Sequence, residues 1–261
     1  MNLTSPNFLR CNTLWIGGRL GAVERACLGS FIRQGHPVTL YCYDDIGNVP
    51  RGVEVADAAT IVPSELIIRH EGGSYALFSN RFRYRLQALG RGLWIDVDLY
   101  CLAPIQFPSA YLFGWQGDGY INGAVLRLPS DSPVLPPLLE IFDERTVPPM
   151  LSHDDQAAAL ERLNRLGRVD LSRAPWGVAG PIALTYLLKK HGLEGLAQPE
   201  STFYPVHWRM AEWILDPSTD LTMVATEATV AVHLWNERIK HVKETPAPKG
   251  SFLARLQEEG A

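Results

Sequence analysis

The first hundred residues alternate between short apolar runs and stretches with helical spacing. Leu14 to Gly18 is an apolar run ending in Gly17-Gly18, and Leu20, Val23, Cys27, Leu28, Phe31 and Ile32 then recur at a helical period. This pattern predicts a strand, a turn and a helix. Pro37 to Tyr43 is rich in β-formers and stops at Asp44-Asp45, as a buried strand stops at the carboxyl edge of a parallel sheet. From Tyr75 to Leu89, Phe78, Phe82, Leu86 and Leu89 form one apolar stripe of a helix, while Asn80, Arg83 and Gln87 share another face. Gly90 and Gly92 end that helix. Leu93 to Ile95 enter a further short strand that delivers Asp96 and Asp98 at its end.

Tyr120 to Leu128 reads as another strand, Val134 to Phe142 and Gln156 to Leu166 as helices, and Pro181 to Lys190 as an apolar helix after Gly180-Pro181. Early strands with helices between them, followed by a Pro-rich half, predict an α/β fold with a mostly parallel central sheet flanked by helices and a more irregular C-terminal part. Residues 1–243 are expected to form one domain. Glu244 to Gly250, with two prolines, reads as a linker, and Ser251 to Ala261 as a short helical tail that frays.

A length of 261 residues suits one α/β domain of the larger kind. The net charge of −4, with Lys and Arg scattered, supplies no basic stripe for nucleic acid. No run approaches the ~18 apolar residues of a membrane span, and the N-terminus lacks a basic cluster followed by an apolar run. A soluble, cytoplasmic protein is expected, with peripheral association at the inner face of the membrane as the remaining membrane role. Cys11, Cys27, Cys42 and Cys101 form no Cys-x-x-Cys pair, so buried, reduced thiols are expected.

The acids at Asp96 and Asp98 change the picture most. Carboxylates at i and i+2 of an extended segment point to the same side and repel unless a positive group lies between them or water solvates them. A divalent cation is one such group, and an oxygen-rich set suits Mg²⁺ or Mn²⁺. The alternative is a solvated strand end.

Phe78 to Leu102, FSNRFRYRLQALGRGLWIDVDLYCL, resembles the sugar-binding segment of the Asp-x-Asp glycosyltransferases, a group that includes mannosyl- and α-1,4-galactosyltransferase-like proteins and the clostridial glucosylating toxins. Further similar segments occur in order: TLWIGG at Thr13 to Gly18, YINGAV at Tyr120 to Val125, GVAGPIALT at Gly177 to Thr185, FYPVHW at Phe203 to Trp208 and AVHLWN at Ala231 to Asn236. Two positions depart from the family pattern. Asn80 stands where Asp is usual, and Arg91-Gly92 where Gly-Gly is usual.

The resemblance implies a GT-A fold and transfer of a hexosyl group from a nucleotide-diphosphate sugar, UDP-sugar ahead of GDP-sugar, with Mn²⁺ or Mg²⁺ on the donor diphosphate. It favours retention at the anomeric carbon, with a glycan, a lipid-linked sugar or a protein as acceptor and polysaccharide biosynthesis as the setting. Asp98 is the expected direct ligand, Asp96 bridges metal and ribose, and His233 is either a late ligand or diphosphate contact, or a core histidine. The implied donor set also takes in Ile16, Gly17, Ser79, Trp94, Val97, Trp235 and Asn236. Trp15 either stacks on the base or fills the core. Arg83 either forks onto donor oxygens or lies on the surface. Asn80 and Asn122 meet sugar hydroxyls, with turn chemistry beside Gly123 as the alternative for Asn122. Trp176, Trp208 and Trp213 either stack on acceptor rings or fill a core. His153-Asp154-Asp155 precedes a helix, where its acids suit the N-terminal dipole, a reading preferred to a second metal site.

Two rival activities fit parts of the sequence. A sugar-nucleotide or carbohydrate-binding protein without turnover is favoured by Asn80 alone. A Mg²⁺-dependent phosphatase would use Asp-x-Asp as nucleophile and acid, but needs a downstream Lys and further acids that do not form a persuasive set.

Overall fold

The computed structural model describes residues 8–261. Its first unit is β1 (Cys11–Trp15), α1 (Ala22–Arg33) and β2 (Val38–Cys42), followed by β3 (Val53–Asp57). Next come α2 (Ala76–Ala88), β4 (Leu93–Ile95), β5 (Leu99–Cys101), β6 (Leu112–Gly117) and β7 (Tyr120–Arg127). The later part carries α3 (Leu135–Glu140), α4 (His153–Leu166), α5 (Ala183–Lys190), α6 (Glu200–Phe203) and α7 (Leu221–Val224), then β8 (Ala231–His233), α8 (Asn236–Ile239) and α9 (Phe252–Glu259).

The main sheet has the order β3-β2-β1-β4-β7-β6. Pairs from β3 to β4 are parallel, and β7 runs antiparallel to both of its neighbours. The expected mostly parallel α/β sheet is therefore present. Side-chain alternation divides its faces: Val38 and Leu40 of β2 with Leu93 and Ile95 of β4 join the core under α1, while Tyr41 and Trp94 join the core under α2.

The chain leaves β1 for β2 on one side and later returns to place β4 on the other. A crevice opens at the carboxyl ends of strands where the winding reverses in this way. Trp15 ends β1 there, and Asp96 follows β4 there.

Several sequence expectations need correction. β1 begins at Cys11 and ends at Trp15, so Gly17-Gly18 lie beyond the strand. The polar Asn12 hid the strand's start: it is buried, and its amide donates to the carbonyls of Arg91 at 2.8 Å and Leu93 at 3.1 Å. Leu89 is exposed because α2 has already ended. The face bearing Asn80, Arg83 and Gln87 is buried, with Gln87 bonded to backbone at Gly92 and Leu128. The departure at Arg91 is structurally neutral, since Gly90 (φ 63°) and Gly92 (φ 100°) are the two left-handed residues of that turn.

The tail does not fray. Ser251 caps α9 by accepting from Ala254 N, and Phe252, Leu253 and Leu256 are buried against the core that includes α1. Arg33 reaches Glu259 at 2.7 Å across the two helices. α4 starts at His153 under a Ser152 cap, ahead of the expected Gln156, so Asp154 and Asp155 lie inside its first turn rather than before it, still at the positive end of the dipole. The four cysteines are free and buried.

Candidate functional site

A cleft of about 980 Å³ occupies the crevice. Asp96 and Asp98 do not lie on an extended strand. Val97 and Asp98 sit in a turn between β4 and β5, with Leu99 N donating to Asp96 O at 3.2 Å, and that turn brings both carboxylates into the cleft. β5 pairs antiparallel with β8, matching Leu99 to His233, and this delivers the imidazole to the same point. One ligand atom from each of Asp96, Asp98 and His233 lies within 4.8 Å of the others, a group that could hold a metal ion.

Positive side chains compensate the two acids. Arg83 Nη2 lies 2.9 Å from Asp96 Oδ1, which also accepts from Trp94 Nε1 at 2.7 Å. His233 Nε2 lies 3.4 Å from Asp98 Oδ2 and 4.0 Å from Asp96 Oδ2. Burial alone would raise the Asp98 carboxyl, but the His233 charge, its hydrogen bond and the Asn236 N–H outweigh burial and hold it at about 2. For His233 burial works downward, and the neighbouring Asp98 charge prevails to raise it.

The ring of His233 is fixed by its neighbours. Trp235 meets it edge-on at 4.3 Å between centroids and Tyr204 at 5.7 Å. Trp235 is itself held left-handed at φ 59° while its indole donates to Val206 O at 2.9 Å. Such a conformation costs a non-glycine residue about 1 kcal/mol or more and persists only where surrounding contacts enforce it. Here it turns the chain so that Asn236 N donates to Asp98 Oδ2 at 2.7 Å. The Asn236 side chain accepts from Lys243 Nζ at 2.6 Å, and Lys243 also binds the fully buried Glu24 of α1. A polar chain thus runs from Asp98 through Asn236 and Lys243 to the core of the first unit.

Three glycines of the recognised segments make room for site residues. A Cβ on Gly17 would fall 3.3 Å from the Trp15 indole nitrogen, one on Gly123 2.9 Å from Arg83 Nη1, and one on Gly180 3.1 Å from Asn80 Nδ2. Asn122 lies within β7 rather than in a turn with Gly123. Its Oδ1 accepts from Ala124 N at 2.7 Å and its Nδ2 donates to Gln116 Oε1 at 2.6 Å.

Trp15, Ile16, Ser79, Asn80, Arg83, Trp94, Asp96, Val97, Asp98, Asn122, His233, Trp235 and Asn236 all line the cleft. Gly17 does not; it backs Trp15. Arg83 is buried, so the surface alternative falls, and its guanidinium is engaged by Asp96. Trp176 and Trp208 reach the cleft, whereas Trp213 stacks on Phe252 at 5.2 Å inside the core.

Sequence reasoning missed Gln116 and Asp118. Both come from GWQGDGY, where the glycines signal only a hairpin turn. In the fold Asp118 accepts from Trp208 Nε1 at 3.2 Å and lies 3.1 Å from His207 Nε2; these hydrogen bonds, the one from Trp208 foremost, lower its carboxyl below the usual range.

Residues 172–259 match the model of a family described as "Alpha 1,4-glycosyltransferase conserved region". The match supports a glycosyltransferase. It takes in Trp176, Gly180, Trp208, His233, Trp235 and Asn236, and leaves Asp96 and Asp98 outside. The solved structure of "PaToxG Glycosyltransferase" is similar over 71% of this chain and 70% of its own, at 12% identity and a TM-score of 0.39. No curated protein matches. Among the described residues no helix is long and apolar enough to cross a membrane.

Arg83 offers a direct test of these contacts. Arg83→Lys keeps the charge but loses the planar guanidinium that engages Asp96 through Nη2 and Ser79 through Nη2 and Nε, leaving the Trp94 indole as the one side chain that still orients Asp96. Turnover is expected to fall about 10- to 100-fold, the size of loss that follows removal of a group orienting a site carboxylate. Steady-state kinetics with a melting curve checks this; unchanged turnover would reduce Arg83 to packing.

Proposed function

We propose that this chain moves a hexosyl group from a nucleotide-diphosphate sugar, a UDP-sugar foremost, to a hydroxyl acceptor, with retention and with a bound divalent cation. The observation that carries the reading is the meeting of Asp96, Asp98 and His233 in one cleft that is also lined by Trp15, Asn80 and Arg83.

The donor set is two carboxylate oxygens and one imidazole nitrogen, which fits Mn²⁺ or Mg²⁺. One feature sits less easily with ligation: His233 Nδ1 is buried with no hydrogen-bond partner, whereas a ligating histidine usually donates from its second nitrogen. The edge contacts of Trp235 and Tyr204 take over the orienting role. Bound there, the ion would offset the negative charge that gathers on the departing diphosphate. Arg83 keeps Asp96 turned into the cleft, and the Asn236 N–H keeps Asp98 there. Asn80 and Asn122 supply neutral amides toward the donor sugar, and Trp15 supplies an aromatic face for the base. Asn80 in place of the usual Asp bears on which sugar is accepted and leaves the ion's ligands untouched.

Thermal-shift measurements with UDP- and GDP-sugars, each with and without Mn²⁺, test the reading, because a ligand that binds only the folded state raises its melting point. A rise with a UDP-sugar that requires Mn²⁺ is expected, together with donor hydrolysis that stops in excess EDTA. Hydrolysis undiminished by EDTA would remove the metal from the proposal, and no response to any sugar nucleotide would remove the donor. Trp15→Ala should weaken nucleotide binding by about 1–3 kcal/mol, a stacking-sized loss, without unfolding the chain. Equal affinity in that variant would return Trp15 to the core.

A further inference from the structure

Trp176 differs from the other tryptophans that line the cleft. It is 53% exposed, against 1% for Trp94 and 9% for Trp235. Exposure of one large aromatic is ordinary on a loose loop, but this loop is held from below. Tyr84, fully buried in α2, donates its hydroxyl to Ala179 O at 2.9 Å, and Gly180 packs against the Asn80 amide. Gly177, at φ 83°, turns the chain directly after the tryptophan, and its own Cβ position would fall 3.3 Å from the Pro181 ring.

A second segment braces the ring. His70 meets Trp176 edge-on, with centroids 5.5 Å apart and planes at 68°, and His70 Nε2 lies 3.1 Å from Ala174 O. Glu71 N donates to Ser172 O at 2.9 Å, and Gly73 N to His70 O at 2.7 Å. The indole is thus a rigid aromatic face presented to the cleft at little conformational cost, which is how aromatic side chains serve binding.

We propose that Trp176 is the stacking platform of an acceptor subsite that takes a pyranose ring of a glycan. The inference rests on the glycosyl-transfer reading and names the acceptor's chemical class. A pyranose presents an axial C–H face to an indole and hydroxyls around its rim. The surroundings answer to that shape: Gly72, Gly73, Ser74 and Tyr75 line the same cleft, the glycines adding no side-chain bulk, and the Tyr75 hydroxyl accepts from Arg69. A large apolar partner would need a contiguous apolar patch, and these small and polar neighbours do not form one. The Arg173 guanidinium, next to this loop, is shared between Glu71 at 3.6 Å and Asp170 at 3.9 Å. Gly180 ties the platform loop to Asn80, so an acceptor ring on Trp176 lies toward the donor-sugar end of the cleft rather than the Trp15 end.

The test compares the full-length wild type with Trp176→Ala and Trp176→Phe, using lactose, cellobiose and maltose as probes in saturation-transfer NMR. Melting curves with Mn²⁺ and UDP-glucose or UDP-galactose report the donor site in parallel. At least one disaccharide should bind the wild type, bind Trp176→Ala at least 10-fold more weakly and bind Trp176→Phe to an intermediate degree, while the donor-induced melting shift remains that of wild type. Equal saccharide binding by Trp176→Ala, or no binding of any disaccharide by wild type, would overturn the subsite. A wild type that binds disaccharides through Trp176 but gives no response to sugar nucleotides would instead overturn the transferase reading and leave the platform standing.

Discussion

Asp98→Asn is expected to abolish the Mn²⁺-dependent part of the donor-induced melting shift and to lower turnover by about two orders of magnitude or more. The substitution leaves shape and volume nearly unchanged and removes the charge that would hold the ion, whose stabilisation of the departing diphosphate is a matter of several kcal/mol. Its effect on the metal-free protein separates two pictures. From sequence, two crowded acids predict that removing one relieves repulsion and leaves the protein as stable or slightly more so. In the fold Asp98 is paired with His233 and Asp96 with Arg83, so repulsion is already compensated. The asparagine can still accept from Asn236 N, but it forfeits the charged partner, and a loss of about 1–3 kcal/mol is expected without ligand. Paired melting curves with and without Mn²⁺ and a UDP-sugar measure both effects. A variant that keeps the full ligand-induced shift would remove Asp98 from the donor site.

The second large effect lies outside the cleft. Lys243→Met should destabilise the chain by about 3–5 kcal/mol, because it leaves the fully buried Glu24 carboxyl without its cation. In a protein of this size that corresponds to a melting point lower by roughly 10 °C. The double variant Glu24→Gln with Lys243→Met should recover much of the loss, since removing both partners avoids the stranded charge. Asn236 keeps no lysine in either variant, so both should bind Mn²⁺ more weakly than wild type even where stability returns. Normal Mn²⁺ affinity in the double variant would confine the pair to a structural role.

The part of the site legible in sequence was the part written locally. The stripe of α2, the glycines after it and the Asp-x-Asp following Leu93–Ile95 are adjacent in the chain, so periodicity and turn chemistry suffice to read them. His233 could be named only through the resemblance, because its approach to the acids depends on β5 pairing with β8. Nothing local marks the contact between Asn236 and Asp98 across 138 positions, or between Lys243 and Glu24 across 219. Isolated charges in a sequence read as solvated surface until the fold buries them. Asn12 misled for the same reason in reverse: its polarity concealed a strand because its amide is satisfied by carbonyls of the next strand's approach. A short helical tail is expected from the sequence, but the helix it packs against, α1, lies near the other end of the chain.

The short ladder between β5 and β8 has a consequence of parity. Leu99 faces His233, and Tyr100 faces Val232, over only three residues on each strand. Side chains alternate in a strand, so a slip of one place would send Val232 to the acids and His233 to the opposite side, with no intermediate arrangement available. The backbone bonds that flank the ladder, Leu102 N to Val230 O at 2.8 Å and Leu234 N to Asp98 O at 3.0 Å, clamp it at both ends. The imidazole is therefore either in place or wholly absent from the acids. Loosening either clamp should yield two populations of molecule rather than one population with a blurred site.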